Sequence, residues 1–353
     1  MQQKSFSRPP WFVVRPKGIP ISLRMDRRAP LVILFLSLSL LMAVIVSVSY
    51  GEYNIALLDV VRAIIGVETG DSNHALVVRT FRLPRILLAL MIGMALAASG
   101  AIIQGITRND LADPGLLGIN AGAGVLVVGY ILFVDTPSTT LLPWLAFAGA
   151  FGASAIIYTL SWSEGSSPLR LILTGVGLAA FGGALINFFL TRLALDQAQQ
   201  AYVWLTGSVY GSTWGEVRMI LAWLLVLIPL TLFSARQLNT LSLGDDLAKG
   251  LGLQLERQRL FLIALSSALA AITVTVAGAI GFVGFVSPHI ARRLVGPSHE
   301  GLLVGTIFTG GLLLVVADLA SRWVISPSEL PIGVTTAIIG APYFAYLLYK
   351  KGR

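Results

Sequence analysis

Cysteine is absent from this 353-residue chain. That excludes disulfides, thiolate metal sites and cysteine nucleophiles together. Charge is scarce as well: only 12% of residues are Asp, Glu, Lys or Arg, about half the share of roughly 25% usual in soluble globular domains. The three histidines are dispersed, and no H-E-x-x-H pattern joins them into a zinc site. Neither a G-x-x-x-x-G-K-[ST] phosphate loop nor a G-x-S-x-G nucleophile turn occurs, so the usual signatures of ATP hydrolysis and serine hydrolysis are both missing. His289, in SPHIARR, sits beside Pro288 and two arginines and reads as a structural residue at a helix end.

Apolar sequence is abundant instead: 56% of the chain is hydrophobic. Uncharged runs of about 20 residues, the length that spans a bilayer as a helix, recur from end to end. Ten crossings are expected, at roughly 31–50, 84–106, 115–134, 143–161, 169–191, 215–235, 258–281, 284–297, 301–322 and 331–349. The eighth is too short to span alone. The stretch AYVWLTGSVYG, between the fifth and sixth, reads as a short re-entrant or interfacial helix anchored by Tyr202 and Trp204. The expected fold is therefore all-α, a polytopic membrane protein with about ten transmembrane helices in one bundle. Residues 31–353 form this domain, and residues 1–30 form a basic extension with seven Lys/Arg against one Asp. The 36 glycines suit close helix packing. The small-x-x-x-small pairs Gly118–Gly122, Gly207–Gly211 and Gly301–Gly305 are the candidates for it.

Loop charge orients the bundle, because Lys and Arg concentrate on the cytoplasmic side. Placing both termini in the cytoplasm puts most of the 25 Lys/Arg inside. One group breaks the rule. Arg79, Arg82 and Arg85, in RTFRLPR, fall at the outer end of the second crossing, and Arg322 falls at the outer end of the ninth. Two readings stand: contact with phospholipid headgroups, or a docking surface for an acidic partner. The excess charge of +8 then belongs to topology and does not indicate nucleic acid.

Energy must come from somewhere. Gradient-driven transporters carry ionisable groups near the midplane, yet no acid lies in the middle of any crossing. Gln104, Asn120 and Asn187 read as helix–helix hydrogen-bonding groups. The stretch from Ser242 to Arg259, SLGDDLAKGLGLQLERQR, is too polar for a bilayer and lies on the cytoplasmic side. It reads as a short amphipathic helix, a glycine break at Gly250 and Gly252, and a second polar turn. It is either a solvated connector or the grip of a separate energy-supplying protein.

Four stretches resemble the FecCD-type permeases. They are RLPRILLALMIGMALAASGAIIQGITRNDLADPGLLGINAGAG, LGDDLAKGLG, GFVGFVSPHIARRLVGPSH and ADLASRWVISPSELPIGVTTAIIGAPYFAYLL. They run in the family's order from about Arg82 to Lys350. The resemblance implies the permease subunit of a bacterial ABC importer in the cytoplasmic membrane. The cargo would be an iron–siderophore or related metal chelate, with haem or a cobalamin as the alternative. A gradient-driven secondary transporter is the reading from another class.

The resemblance also implies partners: a second permease, identical or paralogous, two cytoplasmic ATPases, and an extracytoplasmic substrate-binding protein. This chain would bind no cofactor, with ATP and Mg held by the ATPases. Gly244, Asp245, Asp246, Leu247, Ala248, Gly250, Leu251 and Gly252 match the coupling helices, about 242–253, that sit in a cleft of each ATPase. Arg82, Arg85 and Arg322 match arginines that pair with glutamates of the binding protein. Ser166 and Ser167, between the fourth and fifth helices, match a cytoplasmic gate. Where the family reads R-N-P-L-A, this chain has Arg108, Asn109, Asp110, Leu111 and Ala112. Losing the proline frees a backbone N–H and relaxes the turn, and the aspartate is a candidate cap for the turn that follows.

Overall fold

The computed structural model describes residues 11–14, 23–51, 53–71, 73–134, 136–138, 140–162, 167–324 and 329–351. Its helices, in chain order, are α1 (Ala29–Ser49), α2 (Leu57–Ile65), α3 (Asn73–Leu76), α4 (Leu83–Thr107), α5 (Ile119–Phe133), α6 (Leu142–Leu160), α7 (Pro168–Leu190) and α8 (Leu195–Thr206). They continue with α9 (Trp214–Phe233), α10 (Ala235–Ser242), α11 (Asp245–Gly250), α12 (Leu255–Ala277), α13 (Val283–Val295), α14 (His299–Trp323) and α15 (Ile332–Lys351). A π-helical turn, Val77–Arg82, joins α3 to α4, so the helical path runs unbroken over Asn73–Thr107. Among the described residues, eight helical stretches are long and apolar enough to cross a membrane.

Each expected crossing has a helix. The eighth, α13, is short as its sequence suggested, with 13 residues. The third departs from expectation. Pro114–Leu117 form a 3-10 turn capped by the Asp113 carboxylate, which accepts from the Gly115 N–H. Gly118 then takes φ +67, and the α-helix begins only at Ile119. A left-handed residue ends one helical path and starts another, and glycine adopts it without a Cβ clash. α5 is therefore 15 residues long. The AYVWLTGSVYG segment supplies the end of α8 and the turn after it. Within the basic extension, Trp11–Val14 (β1) pairs antiparallel with Leu23–Asp26 (β2). This small hairpin, beside α14, is the one departure from an all-helical chain among the described residues.

α4 is the centre of the bundle, largely buried against α14, α12, α13 and α9. Glycine sets how close these helices come. A Cβ on Gly93 would lie 2.2 Å from the Gly310 carbonyl oxygen, and one on Gly100 would lie 1.8 Å from that of Gly284. Backbone therefore touches backbone, the arrangement that drives helix association where the surroundings are themselves apolar. Ser99 on α4 and Ser266 on α12 share a buried hydrogen bond of 2.7 Å. Gln104 does what its sequence position suggested, donating to the carbonyls of Ala112 and Phe285. Outside this block, α1, α6, α7, α9 and α15 bury only a minority of their residues and carry many exposed apolar side chains. Apolar surface facing outward is what a bilayer solvates. α9 starts with a capping box legible as T-W-G-E: Glu216 N–H donates to Thr213 Oγ1, and Thr213 N–H donates to Glu216 Oε2 at 2.7 Å.

Candidate functional site

Polar side chains collect at the two ends of the bundle. At one end lie α10, α11, the α4–α5 loop and the start of α14. α10 is fastened to α14 by Asn239, which donates to Glu300 Oε2 at 2.7 Å and accepts from the His299 N–H at 3.0 Å. Gly244, at φ +105, turns the chain into α11. The coupling-motif residues then divide. Asp245 faces inward. Its carboxylate accepts from Arg108 Nη2 at 2.6 Å and from Arg259 Nη2 at 2.8 Å. Ala248 is buried beneath the helix. Asp246, Gly250 and Gly252 face solvent. So do three leucines, Leu243, Leu247 and Leu251, at 55%, 62% and 68% exposure. Three exposed leucines on a charged element outside every crossing form an apolar patch that calls for a covering surface.

The α4–α5 loop is built differently from expectation. Asp110 caps nothing. It accepts from Arg292 Nη1 at 2.6 Å and so joins the loop to α13. Asn109 makes the turn instead, accepting from the Leu111 N–H at 3.0 Å. Arg292 also reaches Gln104 Oε1 at 3.3 Å. His289 lies in the middle of α13, not at a helix end, and packs edge-on against Tyr343. Of the two serines expected at a gate, Ser166 lies outside the described residues. Ser167 directly precedes α7 in extended conformation and gives it no side-chain cap.

The opposite end holds the arginines, and the four have different surroundings. Arg79 closes the C-terminus of α2, donating to the carbonyls of Ala63 and Ile64. Arg82 is buried, at 7% exposure. It donates to the carbonyls of Val48, Ser49 and Tyr53 and so braces the chain after α1. Arg85 and Arg322 form a network with carboxylates of this chain. Asp318 accepts from Arg85 Nε at 2.8 Å and pairs with Arg322 Nη2 at 3.1 Å, while Glu329 takes Arg85 Nη1 at 2.7 Å. Arg322 also reaches the Tyr50 carbonyl at 3.2 Å. Arg82, Arg85, Arg322 and Glu329 line one open cavity of about 680 Å³ together with Tyr210 and Trp214. In the loop beside it, the Tyr53 hydroxyl donates to Asp71. That bond, with the Asn73 N–H, holds the Asp71 carboxyl below its ordinary value and raises Tyr53.

Sequence reasoning reached the arginines through the side of the membrane its charge layout expected for them. It did not reach their acidic partners. Asp318 and Glu329 are 233 and 244 positions from Arg85, and no local pattern links such distant groups. The Arg108–Asp245–Arg259 cluster was hidden for the same reason.

Eight membrane-length helical stretches among the described residues, with α4 buried at their centre and polar side chains gathered at each end, define a multi-pass membrane protein. Residues 39–350 match the FecCD transport family, and the chain belongs to that family of ABC-importer permease subunits. It is 41% identical to the iron(3+)-hydroxamate import system permease protein FhuG of Bacillus subtilis (strain 168), over 91% of this chain and 97% of that protein. It is 40% identical to the Fe(3+) dicitrate transport system permease protein FecD of Escherichia coli (strain K12), over 82% and 90%. Among solved structures, an inward-facing metal-chelate type ABC transporter matches with a TM-score of 0.82. That match is 33% identical and covers 91% of this chain and 99% of the other.

Proposed function

We propose that this chain is the membrane-spanning permease subunit of an ABC importer that carries a ferric siderophore or related iron chelate inward. The observation that carries the reading is the exposed leucine patch of α11, set in a polar loop and fastened to the buried core. Such a patch fits a groove on a partner, the helix-in-groove mode of recognition. The partner is a cytoplasmic ATPase, which holds ATP and Mg while this chain hydrolyses nothing. Family membership and the iron-chelate cargoes of its relatives support the substrate class; haem or a cobalamin is the alternative. The α11 end faces the cytoplasm in this reading, with both chain termini, and the arginine end faces outward.

A second permease, identical or paralogous, completes the pathway, and two ATPases sit beneath the pair. A substrate-binding protein docks on the outer cavity. Its carboxylates would meet Arg85 and Arg322 at the rim, and Arg82 would serve by holding the loop after α1 that frames the cavity. Selectivity would reside mainly in that binding protein. Ser166 and Ser167 remain the proposed cytoplasmic gate.

The test is purification of this chain from native membranes with its companions, followed by uptake of labelled ferric chelates in proteoliposomes. Recovery of an ATPase bearing a phosphate loop, and uptake that needs ATP and survives an ionophore, are the expected results. Uptake that collapses with the proton gradient and proceeds without an ATPase would return the chain to the secondary-transporter class.

A further inference from the structure

The two adjacent aspartates of α11 have different surroundings, Asp245 ion-paired and half-buried and Asp246 exposed, and this separates two tasks that one short motif would otherwise share. Asp245 is turned into the fold, between the last residue of the α4 path and the first turns of α12. Arg259 is among the most completely buried large side chains in the structure, at 2% exposure. A guanidinium so buried requires a counter-charge, and both oxygens of Asp245 supply it, at 2.8 and 2.9 Å. Arg108 reaches the same carboxylate from the other side. Its backbone is left-handed, at φ 50 and ψ 35. That conformation is uncommon for a residue with a side chain, and such residues persist where surrounding contacts hold them.

We propose that Arg108, Asp245 and Arg259 form a transmission clamp, with Asp245 as a positioning residue that makes α11 move as one piece with α4 and α12. The proposal rests on reading α11 as the ATPase contact. In that division of labour, Asp246 and the exposed leucines meet the ATPase, and Asp245 passes the displacement on. α4 and α12 are the right recipients. Both are largely buried, and the helical path containing α4 runs on to Asn73 at the opposite end. From Arg108 back to Thr80 the rise is about 40 Å at 1.5 Å per residue. Asp245 thus connects the ATPase side to the cavity side through one long helix.

The absence of cysteine from this chain lets a single introduced cysteine be labelled before the chain is assembled in nanodiscs with the ATPases and binding protein. Single cysteines introduced as Lys249→Cys, on α11, or Thr80→Cys, at the far end of the α4 path, carry an environment-sensitive dye. In the parent, ATP should change the signal at both positions. Silence of the Lys249 position in the parent would defeat the coupling reading itself, independently of the clamp. With Asp245→Asn, the α11 signal should persist and the Thr80 signal should vanish. Substrate carried per ATP hydrolysed should fall. Asp245→Glu, which keeps the charge, should restore part of both. If Asp245→Asn fails to assemble, Arg108→Gln replaces it, because Arg108 is a third exposed, and the same split is expected. The clamp is overturned if both signals and the transport-to-ATP ratio stay at parental values. It is equally overturned if an assembled variant loses the α11 signal too, since Asp245 would then act in docking.

Discussion

Replacing Asp318 with Asn should destabilise this protein far more than replacing Glu329 with Gln, although both carboxylates bind Arg85. The Asp318 side chain is 1% exposed and holds two arginines whose own side chains are 12% and 9% exposed. Asn keeps the shape and removes the charge, leaving two guanidinium groups side by side in a poorly solvated place. Removing one partner of a buried pair costs about 3–5 kcal/mol. Arg85 keeps Glu329 and Arg322 keeps the Ser47 and Tyr50 carbonyls, so the lower end, ~3 kcal/mol, applies. Glu329 is 30% exposed, and its pair belongs with rim pairs worth about 0.2–1 kcal/mol. At about 2 °C per kcal/mol, the figure for larger domains, Asp318→Asn should lower the melting temperature by ~6 °C and Glu329→Gln by at most ~2 °C. The assay is the loss of the monodisperse chromatographic peak after heating both variants and the parent in one detergent. Equal shifts, or a larger one for Glu329→Gln, would show that Asp318 is not the centre of the network.

Glu329→Gln should also tighten binding-protein docking several-fold at low salt, because it frees Arg85 for an outside carboxylate, and the gain should shrink as salt rises; an unchanged affinity in a surface-binding titration counts against Arg85 as a docking group. Leu247→Ser with Leu251→Ser should leave thermal stability within about 0.5 kcal/mol, as for exposed positions, while ATPase recovery in pull-downs falls to background. Gly100→Leu should abolish folded protein, since even its Cβ would lie 1.8 Å from the Gly284 oxygen and overpacking by far smaller groups costs about 1–3 kcal/mol; a normal yield of monodisperse protein would contradict the backbone contact. Asp71, held below its ordinary value by Tyr53 and the Asn73 N–H, contributes stability that is present above its unfolded value near 3.8 and lost as pH falls through its lower folded value. Tyr53→Phe should therefore speed proteolysis of the loop at neutral pH, with parent and variant converging in acid.

The crossings were legible because each is a long apolar run, and runs of that kind have one stable form in a bilayer. The departures fall where one residue decides the backbone. Gly118 was read as a packing glycine, and it is one, since a Cβ there would lie 2.8 Å from Ile157. Its positive φ, invisible in sequence, is what delays α5. Two of the small-x-x-x-small pairs hold a residue in close backbone contact; a Cβ on Gly207 would lie 2.4 Å from the Ala279 carbonyl. Gly122 does touch backbone, at the Gly149 carbonyl on α6. Other close approaches pair Gly93 with Gly310 and Gly100 with Gly284, across helices far apart in sequence. A spacing rule along one helix cannot identify the other helix. The WFVV and LRMD strands of the hairpin were hidden in a stretch read for its charge. In the Gly244–Gly252 stretch, the different surroundings of Asp245 and Asp246 depend on Arg108 and Arg259, which the fold brings together.

The close glycine contacts also constrain how the two ends can communicate. Where α4 meets α13 and α14 through backbone, sliding either helix along α4 would drive carbonyl oxygens into Cα atoms. Packed cores of this kind respond by moving as a body more readily than by bending. α4 carries Arg85 at one end and leads to Arg108 at the other; α14 carries Arg322 and Asp318 at one end and Glu300 at the other. Both ends of both helices therefore belong to one rigid unit. The peripheral helices are the opposite case: α7 is largely exposed and touches α5 and α6 with little of its length in contact with the core. Relative motion is thus expected between the α4–α13–α14 block and α7, on whose N-terminal side Ser167 lies. A disulfide tying α4 to α14 should leave transport intact, whereas one tying α7 to α4 should stop it, and transport surviving the second bridge would move the flexible boundary elsewhere.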